Sequence, residues 1–299
     1  MNLNQLELLR TLLETDFNLS KAAEKMHVVQ SAASRQLQLL ETELGLPLFE
    51  RQGKKLTALT PLGIEIMSEV EQINEARKNI KLLADDFIDN RNGSLHIATT
   101  HTQAKYLLPG PVQNFRQKFP DIKIYMLQSS PENLINLLYQ NKADVAICTE
   151  KMQDNEKLIM RPCLEWHHVA IVPKQHALAS QNISLELLAK QAILTYSVGF
   201  TGRSTLETAF SHAGLSMDIT LSASDSDVIK TYVRLGMGVG IIAATAYEPD
   251  KDQDLIALSL AHLIPTSVTK IAYLKHLYLP NYCRYFIEQV LNASALKAV

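Results

Sequence analysis

Long apolar runs are missing from this chain of 299 residues. No stretch approaches the ~20 consecutive apolar residues that span a bilayer as a helix, so no membrane partner is expected. Cysteine is scarce. Cys148, Cys163 and Cys283 are far apart and odd in number, which fits buried reduced thiols better than a disulfide framework or a zinc site. The opening residues, Met1-Asn2-Leu3-Asn4-Gln5, lack the basic-then-apolar order of a secretory signal, which predicts a cytoplasmic location. No charge of one sign dominates either. Lys and Arg number 29 against 31 Asp and Glu, for a net charge of −2. The chain as a whole is therefore no generic binder of polyanions, and any nucleic-acid contact must come from where charges sit. Even residues 1–60 carry seven basic and seven acidic side chains.

What remains is an ordinary globular composition, 46% hydrophobic and 20% charged, on a length suited to two or three domains. Helical periodicity governs the first part. Leu6, Leu9, Leu13 and Phe17 recur at three or four residues and form one apolar face. Asn18 and Ser20 supply cap residues for a second helix, in which Leu19, Ala22, Ala23 and Met26 keep the same spacing. A third helix turns Ala33, Leu37, Leu40 and Leu44 inward. Its opposite face is a polar stripe of Ser31, Ser34, Arg35 and Gln38, with Gln30 at the start. Arg can bond the guanine edge bidentately, Gln can pair with adenine, and Ser can bond a base or a phosphate. Leu46 to Thr57 then reads as a β-hairpin around a Gly-containing turn. Its Arg51, Lys54 and Lys55, with Lys21 from the second helix, complete a set of residues suited to double-stranded DNA. Glu41 and Glu43 are expected to point away from the duplex.

Thr60 and Pro61 mark a helix start. Leu62, Ile66, Val70, Ile73, Ile80, Leu83 and Phe87 follow as one apolar seam with polar flanks, which predicts a partner helix and a homodimer. Asp89 to Ser94 is a polar hinge. Beyond it, β-type runs alternate with helical ones. Strands are expected at residues 95–99, 122–127, 144–149, 168–172, 192–196, 219–222, 239–243 and 269–274, in largely parallel sheets. Thr99 to Ala104, Thr149-Glu150 and Gly199 to Ser204 each lie where a strand ends, two of them where a helix begins. Such ends are where open α/β sheets bind ligands, and helix N-termini favour anions. Gly199 to Ser204 has neither the Lys nor the Gly spacing of a nucleotide P-loop. Nothing supplies a nucleophile with its base, paired carboxylates or a metal cluster, so neither enzymatic activity nor a cofactor is expected.

The motifs Leu19-Ser20-Lys21-Ala22-Ala23-Glu24, Gln30 to Leu37, Leu40-Glu41-x-Glu43-Leu44-Gly45-x-Pro47-Leu48-Phe49-x-Arg51 and Thr60-Pro61-x-Gly63 closely resemble the DNA-binding domain of LysR-type regulators. Two positions depart from that pattern. Val29 stands where a Ser or Thr cap is usual, and Ser31 where a Pro is common. Thr99 to Tyr106, Gly199 to Ser204 and Asp227 to Gly236 resemble the CysB subgroup with its Cbl-like relatives, and the likeness runs from Met1 to about residue 290.

The resemblance implies an α+β protein in four parts. These are a winged helix-turn-helix over residues 1–60, a linker dimerisation helix over 61–89, and a periplasmic-binding-protein-like domain of two lobes, one of residues 90–163 with 268–299 and one of residues 164–267. It implies control of sulfur assimilation and cysteine biosynthesis, a tetramer, RNA polymerase as a further partner, and an effector such as N-acetylserine, O-acetylserine or sulfate. Its anion ligands fall on Thr100, Thr102, Gln103, Thr149 and Thr201. Gly202 and Trp166 flank them, while Leu164 replaces an aromatic beside Trp166. Sulfate accepts hydrogen bonds only, and the hydroxyls, amide and backbone N–H groups can all donate to it without a buried cation. Two other readings stay open. A regulator of the same family with an unrelated small acid would share every DNA feature. A solute-binding protein would share the lobes but would need export and no winged helix-turn-helix.

Overall fold

The computed structural model describes every residue except 54, 89–92, 150–155, 201 and 296–299. Lys54, the hinge residues 89–92, Glu150, Thr201 and the side chain of Phe87 thus lie outside the described residues. The chain divides into two compact units, Met1–Asp85 and Asp86–Val299.

The first unit begins with α1 (Leu3–Glu14), α2 (Leu19–Lys25) and α3 (Gln30–Leu44). Each boundary has a local cause. Asn2 and Gln5 form a reciprocal capping box at the start of α1, with bonds of 3.0 and 2.8 Å. The Asn18 side chain accepts from the Ser20 and Lys21 amides, both at 3.1 Å. Gly45, at φ 77, ends α3 in the left-handed conformation that glycine adopts without a Cβ penalty. Leu6, Leu9, Leu12, Ala33, Leu37 and Leu40 close over the small Ala22 and Ala23. Leu44 is exposed rather than inward, because it sits in the last turn, one residue before Gly45 and past the core. Phe17 lies beyond α1 at φ 60, and its ring meets Phe49 edge-on at 6.0 Å.

Phe49 belongs to β1 (Phe49–Gln52), which pairs antiparallel with β2 (Lys55–Leu59). α4 (Pro61–Ile88) follows. The Thr60 hydroxyl accepts from the Gly63 amide at 3.0 Å and donates to the Pro47 carbonyl at 2.9 Å. A Cβ on Gly63 would stand 2.2 Å from the Leu48 carbonyl oxygen. The Thr-Pro-x-Gly run is therefore a helix start fastened to the hairpin, with glycine required by close backbone approach. The apolar seam of α4 is divided, not continuous. Leu62, Ile66, Met67 and Val70 join the core of their own unit, whereas Ile73, Ile80 and Leu83 are exposed.

The second unit holds two five-stranded sheets. Its elements are β3 (Ser94–Thr99), α5 (His101–Tyr106), α6 (Pro109–Lys118), β4 (Lys123–Gln128), α7 (Pro131–Tyr139), β5 (Val145–Cys148), β6 (Leu158–Trp166), β7 (His168–Pro173), α8 (Leu185–Leu188), β8 (Ala192–Tyr196), α9 (Arg203–His212), β9 (Asp218–Ala223), α10 (Ser226–Arg234), β10 (Val239–Ala243), β11 (Leu255–Ser259), β12 (Ser267–Leu274) and α11 (Asn281–Ala295). The first sheet runs β4-β3-β5-β12-β6 and the second β11-β7-β10-β8-β9. Leu95, Ile97, Val145 and Ile147 pack with Phe115 and Phe286 in one core, while Ile193, Val239 and Ile241 pack with Leu206 and Phe210 in the other.

The sheets are mixed rather than largely parallel. β12 is antiparallel to β5 and β6, and β7 is antiparallel to β10 and β11. The chain changes sheets twice, through His167 and through residues 260–266. Each crossing runs from the carboxyl edge of one sheet to that of the other, so the strand that receives it must run backwards. β6 and β11, absent from the strands expected from sequence, are the strands that lead into these crossings.

Candidate functional site

In the first unit, α3 separates its faces cleanly. Ala33, Leu37 and Leu40 are buried, while Gln30, Ser31, Ser34, Arg35 and Gln38 are exposed along the outside. Val29 occupies the N-cap position and makes no side-chain cap bond. The even charge balance resolves spatially. Glu14 holds Arg10 and Lys25, Glu7 holds Arg77, and Glu43 holds the N-terminal ammonium. Among the described residues no carboxylate pairs with Lys21, Arg35 or Lys55, all exposed. The acids thus neutralise cations off this face and leave those on it free.

Arg51 has a partner within the protein. Its guanidinium donates to Glu41 at 2.7 Å, and the other Glu41 oxygen accepts from the Leu48 amide at 2.9 Å. Glu41 does not simply point away; it fastens the hairpin to α3. Arg51 thereby helps position the hairpin, with part of its guanidinium still exposed.

In the second unit, the expected ligands gather at the carboxyl edges of the sheets. β3 ends at Thr99, β5 at Cys148, and reversed β12 starts beside Trp166, the last residue of β6. Thr100 precedes α5 in an extended conformation without using its hydroxyl as a cap. Thr100 and Thr102 are buried, and neither hydroxyl has a hydrogen-bond partner. Gln103 donates to the Thr269 hydroxyl at 3.2 Å and more weakly to Thr149 at 3.5 Å. The Trp166 indole also donates to Thr269, at 3.2 Å. A hydroxyl has one proton and two acceptor sites. With both acceptor sites of Thr269 filled, its proton goes to Thr149, 3.0 Å away. The Thr149 proton is then free, like those of Thr100 and Thr102. Such a set of unpartnered donors suits a ligand that only accepts.

Trp166 is a wall and an anchor, because its one donor is already engaged. Gly202, at φ 72, packs against it: a Cβ there would stand 2.7 Å from both the Trp166 and the His168 rings. Thr201 lies outside the described residues. Sequence reading missed Thr269, the hub of the network. It stood only as the first residue of an expected strand, and nothing local shows that this strand is reversed and delivers its first residues to the ligand edge.

Two buried cations of this unit are saturated by protein partners. Arg203 is buried, bonded to the Tyr196 carbonyl at 2.6 Å and to Glu207 at 2.9 Å. Lys230 is buried and bonds the Tyr106 hydroxyl at 3.1 Å, the Ala246 carbonyl at 2.9 Å and Asp252 at 2.9 Å. Asp227 receives Tyr106 at 2.8 Å and Lys105 at 2.5 Å, so α5 of the first lobe is clasped to α10 of the second. Burial pushes Asp227 up, but Lys105, Tyr106 and Lys230 outweigh it and hold its carboxyl below the usual range. The three cysteines are buried thiols outside any disulfide, and burial pushes the Cys163 thiol up to about 12. Among the described residues no cluster of His, Cys, Asp and Glu could hold a metal, and no helix is long and apolar enough to cross a membrane.

Residues 3–64 match the model of the bacterial regulatory helix-turn-helix protein, lysR family, and residues 89–295 match the LysR substrate binding domain. The chain belongs to the LysR family of transcription regulators. Over 289 residues, 96% of its length, this LysR-type regulator is 39% identical to the HTH-type transcriptional regulators SsuR and CysB of Burkholderia cenocepacia, covering 94% and 92% of them. It is 38% identical to the regulator cbl of Escherichia coli, covering 92% of it. The cofactor-binding domain of the Cbl transcriptional regulator superposes with a TM-score of 0.65 at 38% identity, over 68% of this chain and 89% of that one. A full-length OxyR variant from Pseudomonas aeruginosa superposes at 0.70 with 22% identity, over 97% of this chain and 98% of that one, a likeness of fold alone. These relatives are regulators, not enzymes.

Proposed function

We propose that this LysR-type regulator controls genes of sulfur assimilation and cysteine biosynthesis in response to a small anionic effector held between the two lobes. The observation that carries the reading is the cleft's set of free uncharged donors, Thr100, Thr102 and Thr149, beside the Gln103–Thr269–Trp166 network. Buried polar groups without partners are rare in native proteins and call for a missing one. The similarity to SsuR, CysB and Cbl supports a sulfur-related effector: N-acetylserine, O-acetylserine or sulfate. Gln30, Ser31, Ser34, Arg35 and Gln38 read bases of promoter DNA, while Lys21, Lys54 and Lys55 approach its phosphates. The exposed Ile73, Ile80 and Leu83 of α4 support pairing of two copies through that helix, and assembly into a tetramer. The regulator works in the cytoplasm, with RNA polymerase at the promoter. Effector binding changes the angle between lobes and so the spacing of the DNA heads.

Three experiments test this. A thermal-shift screen of sulfate, thiosulfate, the acetylserines and unrelated acids should raise the melting temperature only with the sulfur-linked anions. A second reading, the same family with an unrelated small acid, is favoured by Leu164, which pairs in register with Thr269; stabilisation by one of the unrelated acids alone would decide for it. Thr102→Ala should weaken effector binding about tenfold by calorimetry, the scale of one lost hydrogen bond, while DNA affinity holds. Equal effector affinity in both proteins would show that the site is misplaced. Arg35→Ala should cost about 1–3 kcal/mol of operator affinity and relax sequence preference at one base pair. An unchanged footprint would remove α3 as the reading helix.

A further inference from the structure

His168 has no role in the reading above, yet it is the most anomalous side chain near the cleft. It is fully buried, and neither ring nitrogen makes a hydrogen bond. Its position is not incidental. β8 and β10 run parallel and end at Tyr196 and Ala243; β7 runs the other way and begins at His168, which pairs in register with Ala243. His168 therefore stands on the carboxyl edge of the second sheet, one residue past the crossing from Trp166. The Trp166 and His168 rings meet edge-on, with centroids 5.0 Å apart. Through Trp166 the imidazole adjoins the Thr269–Gln103–Thr149 network.

A neutral imidazole offers one N–H donor and one lone pair. Burial lowers the His168 pKa to about 4, against a smaller opposing pull from the Gly202 backbone, so the ring is neutral at physiological pH. Its Cε1–Nε2 edge lies against Gly202. Whichever nitrogen keeps the proton, the other presents a lone pair with no donor to it. An oxyanion cannot satisfy a lone pair, since it has nothing to donate. The Thr hydroxyls and His168 thus make opposite demands on one ligand.

We propose that His168 is a specificity-determining residue: its lone pair selects an anionic effector that also carries an uncharged N–H or O–H donor, and disfavours a bare oxyanion such as sulfate. This rests on reading the cleft as an anion site. The hydroxyls hold the acidic end, and His168 accepts from the donor at the other end.

The test is calorimetry on the full chain with two probes, N-acetylserine, which carries amide and hydroxyl donors, and sulfate, which carries none at neutral pH. For His168→Phe, N-acetylserine affinity should fall about tenfold or more while sulfate affinity holds or rises, and His168→Gln, which keeps an acceptor, should stay within about threefold for both. Equal loss of both probes in His168→Phe, or no loss of either, overturns the assignment while leaving the anion site intact. If the wild-type chain binds neither probe, the anion reading fails and this assignment with it. A measurement on the unaltered protein guards against misfolded variants. The 15N resonance of the acceptor nitrogen of His168 should shift with N-acetylserine and not with sulfate; the same shift with both overturns the proposal.

Discussion

The two units handle charge in opposite ways. In the first, ion pairs lie on the surface and draw cations off the outer face of α3, leaving Lys21, Arg35 and Lys55 free in water. In the second, Lys230 and Arg203 are buried and fully engaged, and the buried side chains left with unpartnered atoms among the described residues, Thr100, Thr102, His168, Ser226 and Ser267, are uncharged. The difference matches DNA at the first unit and the anionic effector proposed for the second. Duplex DNA is a large polyanion that attracts exposed cations over distance, with strong dependence on salt. A small metabolite enters a cleft of low dielectric, where short-range donors discriminate and a free buried cation would hold any anion indiscriminately.

The contrast breaks most readily at Lys230. Replacing it with Ala leaves the buried Asp252 with Arg234 as its one remaining cation and takes the donor from the Ala246 carbonyl and the Tyr106 hydroxyl. Removing one partner of such a buried pair costs roughly 3–5 kcal/mol. Arg51→Ala removes a half-exposed pair with Glu41 and should cost no more than about 1 kcal/mol. Urea denaturation of both variants, followed by intrinsic fluorescence and circular dichroism, checks the ranking; equal losses would dissolve the contrast.

A smaller effect comes from pH. His168 has its pKa lowered from 6.5 to about 4. Between those values the unfolded chain takes up a proton that the native chain refuses, so native stability falls as the solution is acidified. The loss should approach about 3 kcal/mol by pH 4, and His168→Gln should flatten that segment of the stability profile. Asp227, held below its usual value of 3.8, adds its own loss only at lower pH. A wild-type profile level from pH 6.5 to 4.5 would show that His168 is not a buried neutral group.

The smallest effect sharpens the other side. Val29→Ser supplies the cap that α3 lacks and should stabilise the first unit by about 1 kcal/mol. Thermal melting of the two proteins measures it; a destabilised variant would mean that the Val29 side chain is itself needed where it stands.

Much of the fold was legible because its signals are local. The three-and-four spacing of Leu6 and Leu9, the Asn18 cap and the Thr60-Pro61 helix start act within one or two turns, and the structure shows each. β8 and β10 were expected over the residues they occupy, since short apolar runs between helices leave little latitude. The site was legible in part. Thr100, Thr102, Gln103 and Thr149 stand at strand ends that sequence can mark, and the structure brings them to one sheet edge. Thr269 escaped notice because its importance depends on strand direction, which side-chain alternation does not encode. The Arg51–Glu41 pair was not legible, because its two residues come from different elements. What covers each part of the α4 seam was not legible, because periodicity marks a face, not what covers it.

The amino-acid order alone determined the helices, their caps and the two classes of chemistry, since these depend on neighbours a few residues apart. Only the tertiary structure decided which cations stay free, which way β7 and β12 run, and which hydroxyl protons remain unclaimed. Those outcomes depend on groups distant in the chain that meet once two sheets exchange strands, and no local pattern constrains such meetings.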